Sequence, residues 1–138
     1  MSAEQIIRIA EDGTLSFGNY RLEEKAKAED FAYQGDLLKV KTYHAITKLE
    51  KNGLFLYESV PGSDVSRFRE TEEGMQFEVR AGGNCQLILG LAEQAAYEVK
   101  VDGNSIGVME TNLGGKLNVS IESGENKKVS LEVVRVNN

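Results

Sequence analysis

Tyr97-Glu98-Val99-Lys100-Val101, Leu117-Asn118-Val119-Ser120-Ile121 and Val129-Ser130-Leu131-Glu132-Val133 decide the fold. In each segment apolar and polar residues alternate. Successive side chains of an extended chain point to opposite faces, so each apolar triplet lines one face and its polar neighbours meet water. The surrounding stretch, Gln86 to Val136, reads as four strands: Gln86–Leu91, Tyr97–Val101, Lys116–Ile121 and Lys127–Val136. A short fifth run lies between the second and third. Asp102-Gly103-Asn104, Leu113-Gly114-Gly115 and Ser123-Gly124-Glu125-Asn126 supply turn residues between the runs. This is the pattern of a half-buried antiparallel sheet.

The same rhythm extends toward the N-terminus. Glu4–Ala10 and Thr14–Tyr20 flank Glu11-Asp12-Gly13 and read as a hairpin. Leu37–Tyr43 alternates Leu38, Val40 and Thr42 with Lys39 and Lys41. Ala45–Leu49 turns at Lys51-Asn52-Gly53 into Leu54–Val60, and Asn-Gly is the strongest short hairpin signal in the chain. Leu54-Phe55-Leu56-Tyr57 is apolar on both faces, as a central strand would be. Pro61 ends that strand, because a ladder interior does not tolerate a missing N–H. Val65–Glu70 and Met75–Arg80 form a further hairpin across Glu72-Glu73-Gly74. Arg21–Phe31 alone has helix formers in number, with Glu23 and Lys27 as an i,i+4 pair. It reads as one or two helical turns or as an extended, charged connection. About ten short strands with regular turns and almost no helix predict one all-β domain, an antiparallel β-sandwich of immunoglobulin-like or jelly-roll-like type.

At 138 residues the chain buries a core without staples, and no composition shift marks a second domain. A net charge of −6, with basic residues scattered along the sequence, argues against nucleic acid or an anionic membrane as partner. The densest basic group, Lys39, Lys41 and Lys48, is flanked by Asp36 and Glu50. Met1 to Ile9 carries no basic leader, and no apolar run approaches the ~20 residues of a membrane span, so the expected location is cytoplasmic. Cys85 is the only cysteine, which excludes an internal disulfide and reads as a small strand residue.

No motif assembles a catalytic set. His44 is the single histidine, and Thr42 and Tyr43 do not supply the oriented carboxylate and nucleophile that a general base needs. Glu23-Glu24, Glu29-Asp30 and Glu72-Glu73 read as solvated surface rather than the paired carboxyls of a glycosidase. Gly114-Gly115-Lys116 fails as a phosphate loop, because Glu110 and Leu117 stand where glycine and serine or threonine belong. Asp102-Gly103-Asn104 lacks the further acids of a calcium loop. No metal ligand set or cofactor motif is present. Tyr20, Tyr33, Tyr43 and Tyr57 are the candidate ligand-binding residues, as an aromatic platform for sugar if they converge.

Two resemblances add to this reading. Leu91 followed six positions later by Tyr97-Glu98-Val99-Lys100-Val101 resembles the tyrosine corner of fibronectin type III and other immunoglobulin-like sandwiches, although the proline and threonine usual between them are absent. In that corner the phenol turns back to bond the backbone of the crossover. The hairpins from Tyr97 to Ile121 also resemble bacterial sandwich domains attached to polysaccharide-processing enzymes. Taken whole, the chain resembles short bacterial proteins commonly labelled endosialidase. That match rests on Leu15-Ser16-Phe17-Gly18-Asn19-Tyr20, Lys39-Val40-Lys41-Thr42, Thr47-Lys48-Leu49-Glu50-Lys51-Asn52-Gly53, Tyr57-Glu58-Ser59-Val60-Pro61-Gly62 and Thr111-Asn112-Leu113-Gly114-Gly115-Lys116. The label implies hydrolysis of sialic acid polymers. Known sialidases are much longer propellers with an arginine triad and a tyrosine–glutamate pair. Adjacent residues of one regular strand, such as Tyr57 and Glu58, cannot share a pocket.

Three functions follow in order of expectation. The first is a non-catalytic module for protein interaction or self-association through free sheet edges. The second is a carbohydrate-binding module, and the third a small glycan hydrolase using Glu58 or His44.

Overall fold

The computed structural model describes residues 6–136. Glu4 and Gln5, the first residues of the predicted Glu4–Ala10 strand, and most of Met1 to Ile9 lie outside the described residues. Thirteen strands run in chain order: β1 (Ile7–Ile9), β2 (Leu15–Phe17), β3 (Ala26–Tyr33), β4 (Asp36–Thr42), β5 (Thr47–Lys51), β6 (Leu54–Val60), β7 (Ser63–Thr71), β8 (Gly74–Ala81), β9 (Cys85–Gly90), β10 (Ala96–Val101), β11 (Asn104–Glu110), β12 (Lys116–Ile121) and β13 (Val129–Arg135). They form a seven-stranded sheet in the order β1-β2-β7-β8-β13-β10-β11 and a six-stranded sheet in the order β12-β9-β6-β5-β4-β3. Every pairing is antiparallel. Among the described residues none is in a helix long and apolar enough to cross a membrane.

The C-terminal strands are not a local meander. β8 pairs with β13, β9 with β12 and β10 with β11, and these nested pairs alternate between the two sheets. This is a long hairpin folded over on itself, the jelly-roll-like version of the expected sandwich. Among the described residues only Asp102-Gly103 joins two of these strands there by a two-residue turn. The segments after β9, β11 and β12 cross from sheet to sheet.

Three of the two-residue turns share one conformation, whereas Glu72-Glu73 between β7 and β8 has no positive φ. Gln34-Gly35, Asn52-Gly53 and Asp102-Gly103 each have positive φ at both central positions. That conformation matches the right-handed twist of the strands they join.

The predicted helical turns at Arg21–Phe31 are absent. Residues 26–33 are strand β3, with Ala26, Ala28, Phe31 and Tyr33 half-buried. Their alternation slips by one place at a bulge, where Glu29 and Asp30 oppose Lys39 and Asp30 takes φ 55°. Pairing with β4 overrides the helix propensity of the lysines, glutamates and alanines.

The core lies between the inner faces. Phe17, Phe68 and Phe77 come from the seven-stranded sheet and Tyr57 from the other, with ring centroids 5.2–5.8 Å apart. Three of these four contacts are edge-on, and such pairs add about 0.5–1.5 kcal/mol each beyond burial. β6 is a central strand as expected, between β9 and β5. A bulge at Leu56 explains its two-sided apolar sequence, since Leu56 and Tyr57 both turn inward while Leu54 stays exposed.

Candidate functional site

The four tyrosines do not share a surface. Tyr57 is wholly buried and Tyr20 is 8% exposed. Tyr33 and Tyr43 are partly exposed but stand at opposite ends of the β3–β4 hairpin, with seven residues of β4 between the turn and Tyr43. The Tyr33 hydroxyl donates to the Gly13 carbonyl at 2.9 Å, and the Tyr43 ring meets His44 edge-on at 4.9 Å.

Tyr57 belongs to a buried hydroxyl network. Thr47 Oγ1 donates to the Ser63 carbonyl and accepts from the Ser63 N–H, both at 3.0 Å. Its single proton is therefore committed, so Thr42 is the donor across the 2.8 Å Thr42–Thr47 contact. Thr42 Oγ1 in turn accepts from the Asn19 N–H at 2.8 Å. Ser63 Oγ bridges the Tyr57 hydroxyl at 2.8 Å and Ser59 Oγ at 2.6 Å. Thr42, Thr47, Ser59 and Ser63 are fully buried. Burial pushes the ionisation of the Tyr57 phenol upward against the hydrogen bonds from Ser63 and Ser59. The same burial pushes the nearby Cys85 thiol up to about 11, leaving little thiolate at neutral pH. No solvent reaches these hydroxyls. Their work is to fix the Pro61-Gly62-Ser63 crossover to β4, β5 and β6.

Other candidate chemistry is dispersed. Glu58 lies in β6 opposite Lys48 and Ile88, while its neighbour Tyr57 faces the core. His44 is exposed in the β4–β5 turn. Among the described residues no group of three histidine, cysteine, aspartate or glutamate side chains is placed to hold a metal ion. The Thr111-Asn112-Leu113-Gly114-Gly115-Lys116 segment is a crossover, and its Asn112 carboxamide accepts the N–H groups of Gly114 and Lys116. It runs beside the β9–β10 crossover, where the Ala92 N–H donates to the Tyr97 hydroxyl at 3.1 Å and Thr111 Oγ1 donates to the Ala92 carbonyl at 2.6 Å.

Comparisons with known protein families, curated proteins and solved structures give no match.

A sandwich exposes unpaired backbone at its sheet edges, which here are β1 and β11 in one sheet and β3 and β12 in the other. β1 is three residues long and carries Arg8. β3 carries Lys27, Glu29 and Asp30 and is bent by its bulge. β12 turns Lys116, Asn118 and Ser120 outward. β11 differs from all three. It is seven residues long and has no charged residue between Asn104 and Glu110. Ile106 is 47% and Val108 58% exposed. The sequence showed this strand only as a short run, because Gly107, at φ 118°, and the bulge opposite Val99 and Lys100 break its alternation. Its signal was the Asp102-Gly103 turn, which demands a return strand.

Proposed function

We propose that the protein is a non-catalytic module that associates with a second copy of itself by pairing β11 edge to edge. The observation that carries this is the contrast among the four edges: β11 alone exposes Ile106 and Val108, on a seven-residue strand whose only charge is the terminal Glu110. Antiparallel pairing about Gly107 sets Ile106 of one copy near Val108 of the other and Glu110 near Asn104, so no like charges meet. A two-fold contact of this kind is self-complementary. It leaves the three-residue β1 at each outer end of the joined sheet, which stops further addition. The bulge beside Ile106 increases the local twist and favours a closed pair over the stacking of flat edges.

Light scattering coupled to size-exclusion chromatography tests the proposal. The parent chain is expected to reach dimer mass at high micromolar concentration, and Val108→Lys to remain monomeric with an unchanged circular dichroism spectrum. A parent chain that stays monomeric across that range refutes it, as does a dimer that Val108→Lys leaves intact.

A further inference from the structure

The acidic chain carries one local reversal of sign. On the outer face of the seven-stranded sheet a groove of about 330 Å³ is lined by Arg8, Arg21, Arg80 and Lys128, with Asn19 and a single carboxylate, Asp64. Four cations line it against one carboxylate, on a chain whose total is −6, and Lys128 is also paired with Glu78 at 3.6 Å. The residues are far apart in sequence. The register assembles them, since Asp64 pairs with Arg80 across β7 and β8, and Lys128 immediately precedes β13 on the other side of β8.

The carboxylate does not saturate its neighbours. Asp64 accepts from the Tyr20 N–H and from Arg21 Nη1, each at 3.1 Å. Arg80 makes no ion pair within 4 Å among the described residues, and its buried Nε finds no hydrogen-bond partner. Tyr20, over whose ring the Arg21 guanidinium lies at 4.5 Å, has a buried hydroxyl in the same condition. Unmatched buried donors are rare in native proteins, and each calls for an acceptor. Both belong to residues tied to Asp64, Arg80 as its cross-strand partner and Tyr20 through its backbone N–H.

We infer that this groove binds a small molecule through its carboxylate, with Arg80 as the principal partner and Arg8, Arg21 and Lys128 as the surrounding positive field. A guanidinium offers a planar fork that matches the two oxygens of a carboxylate. The volume lies at the small end of ligand pockets, which fits a single sugar acid or organic acid rather than a polymer. Asp64 acts as a competitor, because it occupies part of the cationic field that the ligand would use.

NMR titration of the full chain at constant ionic strength tests this, with glucuronate, acetate and inorganic phosphate as anions and glucose as the neutral control. Glucuronate is expected to shift the amides of Arg21, Asp64 and Arg80 saturably in the millimolar range or below, and glucose to leave them in place. Arg80→Gln is expected to weaken glucuronate binding about tenfold or more, as loss of a charged hydrogen bond does. Arg80→Lys, which keeps the charge and loses the fork, is expected to weaken it as well. Asp64→Asn is expected to strengthen it. Saturation by phosphate alone overturns the carboxylate assignment. Absence of saturable shifts with every anion, or equal affinity in the parent and both Arg80 variants, overturns the site.

Discussion

Removing the Ser63 hydroxyl tests whether the buried network is one cooperative unit. Ser63 Oγ bonds both the Tyr57 hydroxyl and Ser59 Oγ, at 2.8 and 2.6 Å. In Ser63→Ala both partners lose it while remaining buried, although Ser59 keeps the Cys85 thiol as a neighbour. A buried hydroxyl left unmatched costs about 1–3 kcal/mol, so the expected loss is about 3 kcal/mol, most of it at Tyr57. Tyr57→Phe removes the same bond from the other side, but Ser63 retains Ser59. Its expected cost is about 1 kcal/mol. The combination discriminates between a network and a set of separate contacts. With the phenol gone, Ser63→Ala no longer strands a polar group in the core, so the double variant is expected to be no less stable than Ser63→Ala alone. Urea unfolding followed by far-ultraviolet circular dichroism measures all four corners of this cycle. At about 2.1 cal/mol/K per residue over 138 residues, 3 kcal/mol corresponds to a fall in Tm of about 10 °C. Losses that add to within ~0.5 kcal/mol refute the reasoning, because independent sites add and a shared hydrogen-bond bridge does not.

Asp64 and Gly62 give two further expectations. Burial raises the Asp64 carboxyl above its ordinary 3.8, outweighing the Tyr20 N–H and Arg21, which lower it. The native state therefore holds this proton more tightly than the unfolded chain, and the stabilisation is complete below 3.8 and lost as pH rises through the native value. Asp64→Asn is expected to equal or exceed the parent in urea midpoint at neutral pH and to lose that advantage at acid pH. A deficit that appears only at neutral pH contradicts the assignment. At Gly62 an added Cβ would stand 2.0 Å from the Tyr43 carbonyl oxygen, while at Gly83 it would meet nothing within 4 Å. Gly62→Ala is expected to cost about 3 kcal/mol and Gly83→Ala less than about 1 kcal/mol, so similar melting temperatures for the two variants refute the packing.

Alternation made most strands legible because burial on one face and water on the other is a local constraint written every second residue. The β1–β2, β5–β6 and β7–β8 hairpins stand where the turn residues put them. The two weakest readings, Ala26–Tyr33 and Asn104–Glu110, both contain a bulge that shifts the phase by one residue. A bulge is set by the partner strand, so a single segment does not reveal it.

By itself the sequence determined an all-β chain, its turns and the residues that face inward. It did not determine neighbours. The nested pairing of β8 with β13 and β9 with β12 joins segments about thirty or more residues apart, and such choices depend on the fit between whole faces. Function depends on the same long-range step. Arg8, Arg21, Arg80 and Lys128 look scattered along the chain and meet only because β1, β2, β7, β8 and β13 lie side by side. Tyr57, the residue most easily imagined at a ligand, is carried into the core by the strand that presents Glu58 to solvent.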